Sequence, residues 1–168
     1  MAQPNQALLE RDALASLNSL RNGPAAVRLA SHLLIVGAGG LVWAQQPWPL
    51  ALRLVGLLVC GIGLATCFAP LHECCHRTAF RNRRVNDAVA WFAGLLSFYN
   101  STYYRRYHQW HHRYTHQPGL DPELDDPVPT NAWAYLRELS GWTWWGGKWG
   151  GYARLLWGDL SDLNYLSP

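Results

Sequence analysis

Charge-free runs set the framework of this chain. Residues 33–44 carry no charge, within a predicted segment at 27–46, and residues 54–71 carry none, within a second segment at 50–71. A helix needs about 20 apolar residues to cross the hydrocarbon of a bilayer. The connection Gln45-Gln46-Pro47-Trp48-Pro49 is too short for anything but a tight turn with an aromatic anchor. The two runs therefore predict a transmembrane helical hairpin; a pair of buried soluble-core helices is the competing reading. His32, one turn into the first run, is expected to be a hydrogen-bonded helix residue, and Arg28 to snorkel. Ahead of the hairpin, residues 1–26 form a polar arm. Leu8, Leu9, Ala13, Leu14, Leu17 and Leu20 recur there at a helical period, so a short amphipathic helix is predicted. It would lie on the membrane surface or on a neighbouring segment, and Gly23-Pro24 would end it.

Beyond the hairpin, residues 86–104 are apolar and aromatic, with Asp87 placed to cap a helix. A further helix over 107–116 ends at Pro118-Gly119. Asp121, Glu123, Asp125 and Asp126 then make an acidic, proline-containing loop. It reads as a solvated turn, with docking or support of a neighbouring side chain as the alternative. Residues 131–140 read as helical. Residues 142–157 combine Trp142, Trp144, Trp145, Trp149 and Trp157 with paired glycines, a pattern for the membrane interface. The expected fold is all-α: a transmembrane hairpin with interfacial and cytoplasmic helices. Residues 27–168 form one domain behind the arm.

Composition narrows the class. The chain of 168 residues is 49% hydrophobic and 15% charged, which excludes a disordered chain. Its mean hydropathy of −0.13 hides a membrane protein that only local windows reveal. The net charge of +3 comes from arginines and a single lysine and is too small to suggest nucleic acid. The arginine bias fits a GC-rich bacterial genome. Cys60, Cys67, Cys74 and Cys75 lack framework spacing, so a reducing or membrane-buried setting is expected rather than disulfides. The first 25 residues lack a basic start followed by an apolar core, so no cleavable signal is expected. Arg11, Arg21 and Arg28 precede the hairpin, and Arg77, Arg81, Arg83 and Arg84 follow it. The connecting turn carries no Lys or Arg, so the positive-inside rule places both ends in the cytoplasm.

The histidines carry the chemistry. Residues 107–116 read Tyr-His-Gln-Trp-His-His-Arg-Tyr-Thr-His and hold four of the seven. At about 100° per residue, His108, His112 and His116 fall on one helical stripe with His111 beside it. A basic, aromatic helix facing nucleic acid is the plainer alternative. A second cluster, His72-Glu73-Cys74-Cys75-His76, sets two imidazoles at i and i+4. The two clusters together point to metal. If they share a metal, residues 86–104 cannot cross the bilayer, and that segment lies in the interface or re-enters. One reading is the zinc-protease pattern His-Glu-x-x-His with Glu73 as general base, which leaves His108, His111 and His112 unused. The other is a nitrogen-rich site with open positions, which suits iron that handles oxygen near an acyl chain. Glu73 would then support an imidazole or bind metal.

His72-x-x-x-His76, His108-x-x-His111-His112 and Asp121-Pro122-Glu123-Leu124 resemble the membrane fatty acid desaturase superfamily over roughly residues 30–168. That resemblance implies a four-helix membrane fold and two iron ions held by histidine boxes. Here the ligands would be His72, His76, His108, His111 and His112. It also implies molecular oxygen, electrons from ferredoxin or cytochrome b5, and an acyl lipid substrate, and a bacterial inner membrane is expected rather than the endoplasmic reticulum. Hydroxylases and ketolases share these boxes. The family's third box and second helix pair have no counterpart, so the chain resembles its N-terminal part, with a second chain as one source of the missing ligands. Cys75 fills the slot that His111 holds in the second box and is expected to pack. His116 lies outside the matched box and is expected to act from the surface or in support of a neighbour, with ligation as the alternative.

Overall fold

A computed structural model describes residues 11–124 and 128–161. Among them the chain is all helical, and it divides into two compact units, Met1–Ser101 and Thr102–Pro168. In the first unit α1 (Arg11–Leu17) precedes α2 (Asn22–Ala44) and α3 (Leu50–Thr66), and then come α4 (Phe68–Cys75) and α5 (Arg83–Leu96). The amphipathic arm helix is present at α1, and its positions Leu8 and Leu9 lie outside the described residues. Gly23-Pro24 does not end it. Both sit in the first turn of α2, where Pro24 removes an amide that has no helical partner anyway.

Among the described residues two helical stretches are long and apolar enough to cross a membrane, Arg11–Ala44 and Leu50–Cys75. Only 6% and 22% of their most apolar windows are buried within the chain. A soluble-core pair would be mostly covered; here Leu34, Leu41, Leu58 and Ile62 face outward. α2 packs on α3 through glycines. A Cβ at Gly39 would meet Cys60 N at 2.6 Å and Gly56 O at 2.8 Å, and one at Gly56 would meet Val42 Cγ1 at 2.7 Å. Small residues let apolar helices approach backbone to backbone, which drives helix pairing where lipid removes the hydrophobic incentive. Polar groups inside the hairpin are matched: His32 Nδ1 lies 3.3 Å from Thr66 Oγ1. Arg53 Nε donates to Trp43 O at 3.1 Å, with its guanidinium over the Trp43 ring, and so satisfies a carbonyl at the C-terminus of α2.

α3 stops at Thr66 for a local reason. Pro70 cannot donate to Thr66 O, and its ring crowds that carbonyl, so the helical ladder is interrupted at Cys67 and resumes as α4. Leu71, Cys74 and Cys75 are buried where α4 packs on α5. α4 ends with Arg77 in the left-handed region, φ 59°, and Thr78 N donates back to Glu73 O. Asp87 does not cap α5. Asn82 does, accepting from Arg84 N at 2.8 Å, because the chain is extended at Asn82 and already helical at Asp87. Asp87 instead accepts two hydrogen bonds from Arg77, at 3.0 and 3.1 Å. α5 has 14 residues and rises about 21 Å, short of the ~30 Å core. The apolar segment 86–104 is thus not one element: Phe98, φ 60°, breaks it, and α6 (Ser101–Tyr114) starts three residues later.

The second unit holds most of α6, a 3-10 turn at Pro122–Leu124, α7 (Ala132–Leu139) and α8 (Trp142–Leu156). Asn131 caps α7 by accepting from Ala134 N at 2.9 Å, and α7 packs on α8. Trp142, Trp149 and Trp157 are largely exposed.

Candidate metal centre

The first histidine pair sits at the end of α4, where the helical spacing does what the sequence predicts. His76 N donates to His72 O at 3.3 Å, and the two rings lie 4.7 Å apart, nearly perpendicular. One ring nitrogen of each is within 4.8 Å of the other, a separation that a metal ion can bridge. The buried face of α4 fixes this pair, and Phe68 packs against both His72 and Tyr99. Cys75 is buried and donates its Sγ–H to Ser101 O at 3.6 Å, the packing role expected of it. Glu73 Oε1 stands 4.0 Å from His72 Nδ1, beyond hydrogen-bond reach. It lines a cavity to which neither His72 nor His76 contributes.

α6 carries the second cluster. His108 is buried, and its Nε2 lies 3.1 Å from Nε2 of His112. Two cis ligands on one metal, each at about 2.1 Å, are separated by about 3.0 Å, so this pair fits a shared ion. His108 Nδ1 lies 3.4 Å from Glu123 Oε1. Donation from that nitrogen places the lone pair on Nε2, toward His112. The stripe does not extend to His116. α6 ends at Tyr114, and His116 takes φ 62°, which turns the chain back. The exposed His116 ring is off the stripe; its backbone amide donates to Asp121 Oδ2 at 2.9 Å.

Asp121 is the residue whose role the solvated-turn reading underrated. It is 1% exposed. Its Oδ1 accepts from His111 Nδ1 at 2.8 Å and from Glu123 N at 3.0 Å. Desolvation pushes its pKa up, but these hydrogen bonds and the one from His116 N outweigh it, holding the carboxyl at about 2. A histidine that donates one ring N–H to a carboxylate has its tautomer fixed and its other nitrogen made more basic, the arrangement metal-bound imidazoles use. His111 Nε2 then faces Glu123 Oε2 at 3.4 Å. Two acceptors that close call for a proton or a cation between them. Glu123 thus touches both His108 and His111, a contact the sequence signals only by its place in Asp121-Pro122-Glu123-Leu124. Asp125 and Asp126 lie outside the described residues.

The described residues, all helical, with a hairpin long enough to cross a membrane and two imidazole clusters, one braced by carboxylates, define a protein that could span a bilayer and hold metal. A family model described as fatty acid desaturase matches residues 47–163. The chain belongs to the fatty acid desaturase family. The match takes in α3 to α8 and both histidine clusters, while α2 lies before it. No curated protein and no solved structure matches the chain.

Proposed function

We propose that this chain contributes to an oxygen-dependent oxidation of an acyl lipid at the cytoplasmic face of a bacterial inner membrane. In this reading His72, His76, His108, His111 and His112 hold iron, the two clusters serving one centre. Bound iron would supply the oxygen chemistry that an unactivated C–H bond requires. The chain's own part is to hold ligands in place: Asp121 fixes the His111 tautomer, Glu123 orients His108, and the buried face of α4 sets His72 and His76. A further histidine-bearing segment, in the same protein or a second chain, would complete a pair of irons. Electrons would come from a ferredoxin or a cytochrome b5. The observation that carries the reading is the carboxylate-braced His108–His111–His112 group in a fatty acid desaturase family member. Desaturation, hydroxylation and ketolation would use the same ligands.

A zinc protease built on His72-Glu73-x-x-His76 is the weaker reading, because Glu73 lines another cavity and makes no hydrogen bond to His72. The test is metal content of the full chain purified in detergent after loading with ferrous iron. His76→Ala and His112→Ala should each lower bound iron. Iron that falls with His112→Ala and is indifferent to His76→Ala would mean that the clusters do not share a centre.

A further inference from the structure

Within the first unit lies a cavity of about 650 Å³ that the metal chemistry does not use. The segment 16–21, the start of α2, α4, the 78–80 loop and Val89 of α5 line it, and it opens outward on one side. Arg81 fastens the first of these walls: its Nε donates to Leu20 O at 2.7 Å and its backbone N to Asn22 Oδ1 at 3.0 Å, across about sixty residues of sequence. The volume falls within the range of small-molecule sites, roughly 300–1,000 Å³. Leu17, Leu29, Phe80 and Val89 supply an apolar lining, and Arg21 and Arg28 supply guanidinium groups. Neither guanidinium makes a hydrogen bond or ion pair to the described residues. Three other titratable groups line the space, one of them the buried thiol of Cys74. His32 is engaged with Thr66, and Glu73 is a half-exposed carboxylate. Two guanidinium groups against one carboxylate leave the site cationic.

We propose that this cavity binds a membrane lipid through its phosphate, with net-anionic phospholipid the preferred class. Arg21 caps α2 and Arg28 lies in its second turn, ahead of the charge-free run, so a hairpin that spans the bilayer would bring both near the lipid phosphates. A guanidinium fork engages two oxygens of one anion. Two forks match a phosphate, and the apolar lining takes the first part of an acyl chain. The inference rests on the membrane hairpin and is independent of the iron reading.

The test is native mass spectrometry of the full chain in detergent, titrated with phosphatidylglycerol. Oleate, phosphatidylcholine and inorganic phosphate serve as separate arms. Arg21→Gln and Arg28→Gln should each weaken phosphatidylglycerol binding about tenfold. Arg84→Gln, on the same charged end but outside the cavity, should leave it unchanged. Ala25→Leu, which narrows the space without touching charge, should weaken it as well. Equal loss with Arg84→Gln would show diffuse surface attraction and overturn the site. So would oleate binding as tightly as phosphatidylglycerol, or complete displacement by millimolar inorganic phosphate. Phosphatidylcholine binding as tightly would overturn the preference for net-anionic lipid.

Discussion

Asp121→Asn is the sharpest probe of the second histidine cluster. The native carboxylate only accepts, and it accepts three times: from His111 Nδ1, Glu123 N and His116 N. Asparagine has nearly the same shape but only one accepting atom. If its oxygen stays toward His111 and Glu123, its NH₂ confronts the His116 amide, donor against donor. If it flips, the NH₂ confronts two donors instead. Every orientation loses at least one bond and removes the charge that favours the Nδ1–H tautomer of His111. Losing such a partner of a metal-bound imidazole lowers metal affinity about 10- to 100-fold. Competition for ferrous iron against a calibrated chelator, on wild type and variant, measures this directly. Unchanged affinity in a folded Asp121→Asn chain would refute the role assigned to Asp121. The pH dependence follows from the same geometry. The folded pKa of about 2 lies below the ordinary 3.8. The carboxylate's contribution is therefore complete above about pH 4 and is lost as pH falls toward 2. Between pH 5 and 8, iron affinity should not vary through Asp121.

Two further substitutions test the fold that presents the site. Gly39→Val places its Cβ where Cys60 N and Gly56 O already stand, so backbone must move. Overpacking of this kind costs about 1–3 kcal/mol, read as a lower unfolding midpoint in a detergent titration. Gly37→Ala meets nothing within 4 Å and should be tolerated; equal effects of the two would sink the close α2–α3 packing. Asn86→Ala removes a fully buried amide that accepts from Phe80 N at 3.1 Å and donates to Phe80 O at 2.7 Å and Asn82 O at 2.9 Å. Leaving buried Phe80 groups unpaired costs about 3 kcal/mol, so thermal unfolding of the variant should begin several degrees lower.

Some features are local and could be read without a fold. The hairpin is a matter of run length and missing charge, so its two helices appear close to where the hydropathy places them. The i, i+4 spacing of His72 with His76 and of His108 with His112 fixes ring proximity once a helix forms. Asn131 at the start of α7 behaves as its residue type predicts. Others had no local signal. Arg77, Phe98 and His116 all adopt positive φ, yet none is glycine or asparagine, so the ends of α4 and α5 had no local signal and α6 stops at Tyr114, short of the Pro118-Gly119 stop. Asp87 looked like a cap because its residue type suits one; Asn82 took that position because the chain enters the helix there.

By itself the sequence determined which segments avoid water and which side chains can bind metal, since both depend on residue type and short-range period. The tertiary structure decided which polar groups lose water and whom they meet. Asp121 and Glu123 sit in what reads as a solvated acidic turn. Only the chain reversal at His116 buries Asp121 against His111, where desolvation and three donors turn an ordinary carboxylate into a brace. A hydrogen bond between residues ten apart requires that reversal, and no spacing rule along the chain encodes it.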